Sequence, residues 1–551
     1  MVLQPVGRMV LVPHYACIMR TFRRMFPFIC CFIFLNLLLQ KMIQEEVMLK
    51  DGRGRSWVAK RQEAGEKTNS QHFYRDRLKG KDTETSSSEF SHPISMLPKS
   101  TFSSQVTGSK NMTVFGNHLY NAQEVFSLWM HITDDLYIYS AFWDARQNLP
   151  MGPMVRILGI LRYQKELLLD IAKYKWSGEI KPDALNYSCF LWYAGQDTEK
   201  GQLNAFIYEE GLKVFVGTYF FCSPPRLSSN SSRLGENRVP YAVSLVRHGA
   251  SNASHKLIYL TPNRKTEQDG LNHTAVCVRP LFGPYTDLAA ITIFISYYST
   301  VLNISHFYFY EYAISEKVKE FLMILMGDGE VNIYLLPWNI PFNEWETLWD
   351  LGSLTSINDC VYRTSYQHNY VAIVDLDEFI VPRAPISNLG QLYTSVIKHK
   401  HGKEGDSVLI LNAFFCSEFQ TKNQTNENND FKVFTDIFRE TRLWPPKSRS
   451  KVIVVPEAVV AVGHHMVHHF LKPTSKNQAS PKLFAVLHHY RNCDGLRMGI
   501  HATGSKVLNQ KPIRDSAILK YKNHVFASRT MRHYHLFIKN TNEENEVLLQ
   551  K

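Results

Sequence analysis

The chain has 551 residues, 13% of them aromatic and 20% charged, which is long enough for more than one folded region and ordinary for a globular protein. Its formal charge of +12 is uneven: residues 1–24 hold four arginines and no acid, and no Lys/Arg stripe with interleaved aromatics follows. That distribution excludes nucleic acid as an expected partner.

Arg20, Arg23 and Arg24 precede an apolar run, Met25–Leu39, interrupted only by Pro27 and Asn36 and followed by Lys41, Glu45 and Glu46. No small-residue cleavage site closes the run, so it reads as an uncleaved signal-anchor with its positive flank cytoplasmic. The expected order is a cytoplasmic tail (1–24), a transmembrane helix (25–40) and a polar stem (41–124), with the remainder lumenal. The short span suits the thinner membranes of the early secretory pathway. Seven N-x-S/T sequons, at Asn111, Asn186, Asn230, Asn252, Asn272, Asn303 and Asn423, agree with a lumenal placement. Six cysteines beyond the span (Cys189, Cys222, Cys277, Cys360, Cys416, Cys493) include no C-x-x-C pair. They argue against zinc and permit up to three disulfides, with the pairing open.

Residues 125–271 show short alternating runs at Leu136–Phe142, Ser188–Tyr193, Leu212–Cys222, Tyr241–Val246 and Lys256–Leu260. They predict a small antiparallel β-rich module in which no chemistry stands out. From 272 the pattern changes to strand Thr274–Val278, a Pro/Gly loop from Arg279 to Tyr285, helix Thr286–Leu302 and strand Ser305–Tyr310. Helix Ser315–Met326, strand Glu330–Pro337, a long helix Glu344–Gln367 and a strand over Tyr370–Val374 continue it. Repeated strand–helix–strand units predict an α/β domain over 272–530 with a parallel, Rossmann-like sheet, and 531–551 is left as a C-terminal tail. Ligands of such sheets sit beyond the carboxyl ends of the strands. Arg279, Tyr310, Trp338 and the acidic run Asp375-Leu376-Asp377-Glu378 would collect there.

Side chains alternate along an extended chain, so Asp375 and Asp377 share a face, with Leu376 on the other, and can hold one divalent cation with positions open for phosphate oxygens. His489, ahead of His488, His464 and His465, is the candidate third ligand, and Arg491 and Lys451 are candidate phosphate contacts. A cation bridging a diphosphate, acting as a Lewis acid on a departing nucleotide, is the economical use of this set.

Six ordered blocks give the chain a family likeness. They are Cys277-Val-Arg-Pro-Leu-Phe-Gly283, His306-Phe-Tyr-Phe-Tyr310, Ile357-Asn-Asp-Cys-Val-Tyr-Arg363, Val374-Asp-Leu-Asp-Glu-Phe-Ile-Val-Pro382, Lys451-Val-Ile-Val-Val-Pro456 and His489-Tyr-Arg491. Together they resemble glycosyltransferase family 92. The resemblance implies a GT-A fold, a type II Golgi membrane protein, and metal-dependent inverting transfer with manganese as the expected ion. It implies UDP-galactose as donor and a glycoprotein glycan as acceptor, with a beta-1,4 linkage. By that likeness Asp375 and Asp377 match the metal motif; Arg279, Tyr310, Asn358, Arg363 and Arg491 fall in the other blocks, from which we infer contacts to the nucleotide sugar. Inverting transfer also needs a general base, for which Glu440, Asp436 and Glu378 are the candidates. The insertion 418–430 and the doubled His464-His465 depart from the family pattern on the acceptor side. Two rival readings are a lumenal glycan-binding protein without catalysis and a haloacid-dehalogenase-like phosphohydrolase. The latter would use the first Asp as nucleophile.

Overall fold

The computed structural model describes residues 112–115, 118–121 and most of 127–549, with the longer breaks at 165–176, 226–238, 250–254, 262–272 and 421–430. The expected transmembrane helix, most of the stem and the sequons at Asn111, Asn230, Asn252, Asn272 and Asn423 lie outside the described residues. Among the described residues no helix is long and apolar enough to cross a membrane. Asn186 and Asn303 are both exposed.

The β-rich stretch is a two-sheet sandwich. One sheet has six antiparallel strands in the order 130–133, 136–144, 154–162, 215–223, 202–208 and 177–179. The other has four, in the order 258–259, 242–247, 187–192 and 199–200. Inward positions of both, such as Ile138, Ile157, Phe220, Leu191 and Leu245, form one apolar layer. Cys189 and Cys222 bridge the sheets through it. Gly201 lies against that bridge, where an added Cβ would sit 2.5 Å from the Cys222 Sγ. The strands at 154–162 and 202–208 were not legible as alternating runs. The first is buried along nearly its whole length, which erases a period of two.

The second half begins with β1 (Thr274–Cys277), α1 (Leu288–Val301), β2 (His306–Glu311), α2 (Glu316–Asp328), β3 (Asn332–Pro337), α3 (Ser353–Thr364) and β4 (Tyr370–Ile373). It continues with β5 (Glu378–Pro382), α4 (Leu389–His399), β6 (Ser407–Ile410), β7 (Asn412–Cys416), β8 (Lys451–Val454), β9 (Asn477–Ala479), β10 (Ala485–Arg491) and α5 (Arg529–Leu549). The main sheet runs β3-β2-β1-β4-β8-β6-β9, parallel except for β8. Its first four strands have the doubly wound 3-2-1-4 order, so the direction of winding reverses between β1 and β4. A smaller sheet, β5-β10-β7, lies beside it. The helix starts are capped locally: Asp287, Ser315 and Asn388 accept the amide N–H three residues on and start α1, α2 and α4.

Two expectations change. The described part of the expected tail, 531–549, is helical, and α5 buries Met531, Tyr534 and Phe537 in the same core as α1 and α2. Among the described residues, the long helix expected at 344–367 is an α-helix over Ser353–Thr364, preceded by a turn in which Asp350 and Leu351 have positive φ.

Helix α3 is buried along all twelve residues. Leu354, Ile357 and Val361 pack on β1 and β4, while Tyr362 packs on Phe142, Leu158 and Tyr219 of the sandwich. The two halves are clamped further by Asp144, which pairs with Arg146 (2.8 Å) and Arg156, while Arg146 donates to the carbonyls of Glu457 (3.0 Å) and Val459 (2.6 Å).

Two outcomes are expected. Burial opposes ionisation of Asp144, but the two guanidinium groups outweigh it and hold its pKa well below the carboxylate range. Its contribution is therefore complete above the unfolded value near pH ~3.9 and is lost as pH falls towards the folded value. Asp144→Asn should cost about 3–5 kcal/mol at neutral pH in urea unfolding, and its gap from the parent should narrow below about pH 4. Peptide mapping without reduction should find Cys189–Cys222, Cys277–Cys360 and Cys416–Cys493. Removing the second, which spans 83 residues, should cost about 4–5 kcal/mol.

Candidate functional site

The switch point between β1 and β4 places two chain ends side by side. Two residues after β1 stands Arg279, and two after β4 stands Asp375. The Arg279 Nε–H donates to Asp375 Oδ1 at 2.7 Å and its Nη1–H to Asp350 Oδ2 at 2.7 Å. Lys451, the first residue of β8, donates to Asp375 Oδ2 at 2.8 Å and lies 3.1 Å from Glu378 Oε2. Both oxygens of Asp375 are thus held by cations. Burial opposes its charge, but Arg279 and Lys451 outweigh burial and keep its pKa far below normal.

The expected shared face of Asp375 and Asp377 is not formed. The chain leaves β4 at Ile373 and turns, with the Glu378 N–H donating to the Asp375 carbonyl at 3.1 Å, so alternation does not apply across the pair. Asp375 turns in among the cations. Asp377 turns out, with its side chain 47% exposed, and its Oδ2 lies 3.2 Å from His489 Nε2.

His489 is held from behind. Its Nδ1 lies 3.0 Å from Asn412 Oδ1 and 3.2 Å from Glu378 Oε1. His489 thus stands with Nδ1 beside two oxygens and Nε2 beside Asp377, whose charge it favours. Metal-ligating histidines are supported in this way by a carboxylate or amide oxygen. Asp377 and His489 fit a divalent cation as donors. Asp375, already paired twice, adjoins them as a charge-balancing neighbour. Among the described residues the one triad of donor atoms close enough to hold an ion is Cys416, Glu418 and Cys493, where both cysteines are in a disulfide.

The base candidates are placed deeper than expected. Glu378 is buried, accepts the Asp375 N–H (2.8 Å) and supports Lys451 and His489; burial raises its pKa against the pull of Lys451. Glu440 is buried as well. Its Oε1 accepts the Phe414 N–H (2.8 Å) and Trp444 Nε1–H (2.7 Å). Asp436 is buried beside Thr435, and burial raises its pKa. As placed, Glu378 and Glu440 steady the surroundings of His489.

Three nucleotide candidates are corrected. Tyr310 donates its hydroxyl to Asp359 Oδ2 at 2.6 Å, and Arg363 pairs with the same oxygen at 2.6 Å. Asn358 donates to the carbonyls of Leu354 (2.8 Å) and Val462 (2.7 Å) and accepts the Val462 N–H (2.8 Å). All three are buried and spend their polar groups inside the protein: Asn358 and Arg363 on α3, which has no solvent-facing side, and Tyr310 on β2, which faces it. Trp338 is likewise internal, donating to the Leu351 carbonyl. Arg491 does border the site: it ends β10, and its charge acts on Asp377. His464 meets Ser353 Oγ (2.8 Å) beside Asp350, whereas His488, on the other face of β10, meets Arg383 (2.8 Å).

Asp350 was missed. It is buried, receives Arg279 and Ser353 Oγ (2.6 Å), and keeps a depressed pKa because Arg279 outweighs burial. Nothing around it in sequence distinguishes it from a helix residue.

The fold and site define an α/β domain with its charged centre at the switch point of a doubly wound sheet. Residues 272–542, just under half the chain, match the model of Glycosyltransferase family 92. A curated relative, the beta-1,4-galactosyltransferase galt-1 of Caenorhabditis elegans, is 24% identical over 222 residues. That alignment covers 40% of this chain and 48% of the relative. Among solved structures, S. aureus TarS in complex with UDP is 11% identical with a TM-score of 0.23, covering 40% of this chain and 62% of its own. An active-site mutant of LgtC is 13% identical with a TM-score of 0.16, covering 34% and 57%. Likenesses that low carry no argument here.

Lys451 offers a direct test of the charge balance. Lys451→Met leaves two buried carboxylates short of a cation and should cost about 3–5 kcal/mol. Adding Glu378→Gln should recover part of that loss in a double-mutant cycle. Simple additivity in denaturant unfolding would mean the pair is not coupled.

Proposed function

We propose that residues 272–542 are the catalytic domain of a metal-dependent inverting glycosyltransferase of the GT-A type. The donor in this reading is UDP-galactose, and the acceptor is a terminal sugar of a glycoprotein N-glycan, joined by a beta-1,4 linkage. The protein would be a single-pass type II protein of the Golgi membrane, its N-terminal span and stem holding the folded part in the lumen. The observation that carries the reading is the Asp377–His489 donor pair, supported from behind by Glu378 and Asn412 and placed beside Arg279 and Lys451 at the switch point. The likeness of the same residues to Glycosyltransferase family 92 and to a C. elegans beta-1,4-galactosyltransferase supports the sugar chemistry.

Asp377 and His489 would hold the ion, manganese in this proposal, and Asp375 would balance charge beside it. When bound, the ion supplies Lewis-acid neutralisation of a leaving diphosphate. Arg279 and Arg491 add positive charge at the same rim. Lys451, 3% exposed, acts through Asp375 and Glu378 instead of touching a ligand. The phosphohydrolase alternative loses its footing because it needs the first aspartate free to attack, and both oxygens of Asp375 are engaged.

The test uses the secreted form that begins after the predicted span. It should release UDP from UDP-galactose in a manganese-dependent way. Asp377→Asn should lose ~100-fold in rate, about 2.7 kcal/mol of barrier, with little change in melting temperature because the side chain is half exposed. His489→Ala should fall similarly and be partly rescued by excess manganese, while His465→Ala stays near the parent. Full activity of Asp377→Asn in chelator would remove the metal from the mechanism.

A further inference from the structure

The turn ahead of α3 contains three successive left-handed residues: Asp350 (φ 46°), Leu351 (φ 47°) and Gly352 (φ 76°). Left-handed backbone costs about 1–2 kcal/mol per non-glycine residue and persists where the surroundings over-determine it. Here they do. The Leu351 carbonyl accepts the Trp338 indole N–H at 3.0 Å, the Leu351 side chain is buried, and a Cβ on Gly352 would stand 3.2 Å from Leu348 Cδ2. The product of this strained turn is a single buried carboxylate. Asp350 Oδ2 receives Arg279 Nη1 (2.7 Å) and Ser353 Oγ (2.6 Å), with His464 Nε2 at 3.5 Å.

Both partners of the Asp350–Arg279 pair hang from one covalent link. Cys277 lies two residues before Arg279, and Cys360 lies in the helix that Asp350 introduces. The guanidinium is gripped at Nε by Asp375 and at Nη1 by Asp350, two points on one rigid plane. It cannot swivel, and its remaining N–H groups keep one direction while the side chain stays 33% exposed. Fixed guanidinium N–H donors beside a candidate metal pair suit oxygen-rich anions such as a diphosphate.

We propose that Asp350 is a positioning residue for the donor: it holds the Arg279 guanidinium so that its free N–H edge meets the diphosphate of the nucleotide sugar. The inference rests on the proposed function for the identity of that ligand, while the grip on Arg279 is independent of it. It also explains why a strained turn stands where an uninterrupted helix would cost less.

The test separates charge from backbone. Asn tolerates the left-handed region better than other non-glycine residues and can keep the Ser353 bond, so Asp350→Asn removes the charge and spares the turn. UDP affinity is measured by calorimetry on the secreted form, with manganese and again in chelator, and donor and acceptor KM are measured alongside. Asp350→Asn should weaken UDP ~10-fold or more and raise donor KM, with acceptor KM unchanged, each read on folded protein well below its melting temperature. Arg279→Lys keeps the charge but not the two-point grip and should weaken UDP similarly. In that background Asp350→Asn should add little, because its effect passes through Arg279. Equal UDP affinity in parent and Asp350→Asn would overturn the positioning role and leave the donor assignment intact. Additive losses in the double variant would also overturn it. Failure of the parent to bind UDP would overturn the donor reading and this proposal with it.

Discussion

A helix with no face toward water sets the terms for much of this structure. Helix α3 lies between the main sheet and the sandwich, and its sequence, Ser-Leu-Thr-Ser-Ile-Asn-Asp-Cys-Val-Tyr-Arg-Thr, is too polar for such a place unless every group finds a partner inside. It does so with a small set of devices. Asn358 closes onto the Val462 backbone, Asp359 is shared by Arg363 and Tyr310, and Thr364 bonds back to the Cys360 carbonyl. Ser353 joins Asp350 to His464. The burial of this helix is therefore what connects the β-rich half to the site.

The site itself is arranged in two shells of charge. The inner one is tightly paired: three carboxylates, Asp350, Asp375 and Glu378, are held by two cations, Arg279 and Lys451, with Lys451 almost sealed from water. Deleting either cation would leave a buried carboxylate uncompensated, which is far more costly than losing a surface pair. The outer one is open. Asp377 is exposed, His489 presents one nitrogen to it, and Arg491 borders both. Chemistry at the outer shell depends on the inner shell for position, and the inner one cannot take part without breaking its own pairing.

Much of this was legible in sequence, for reasons that differ by residue. The strand–helix alternation from Thr274 to Tyr370 is a strong periodic signal, and every element from β1 to β4 falls within two or three residues of its expected place except the helix before β4. That helix failed because a pattern of apolar residues cannot report three left-handed residues stabilised by a tryptophan 13 positions away. Tyr310, Asn358 and Arg363 were assigned to the nucleotide because they sit in family blocks. Residues recur in such blocks for packing as well as for chemistry, and burial, which separates the two, is not visible in a helix polar on several sides. The disulfide pairing was open for a related reason: Cys277 and Cys360 meet only because α3 folds back over β1.

The pairing of Asp377 with His489 has a deeper cause than two rotamers. Glu378 and His489 are register partners in the antiparallel pair β5–β10, and the Tyr490 N–H donates to the Asp377 carbonyl at 2.9 Å. The backbone thus brings the start of β5 to the end of β10 before any side chain is placed. The same register explains why the turn after β4 is needed. Asp375 belongs to the end of the main sheet and Glu378 to the start of the smaller one, so Leu376 and Asp377 must carry the chain from one sheet to the other. A straight continuation would have given the two aspartates one face and left His489 without a partner. The change of sheet separates them, gives Asp375 to the cations and Asp377 to solvent, and makes the donor pair a consequence of topology. A site fixed by ladder hydrogen bonds pays little further entropy to hold its geometry, which is the condition for a preorganised centre.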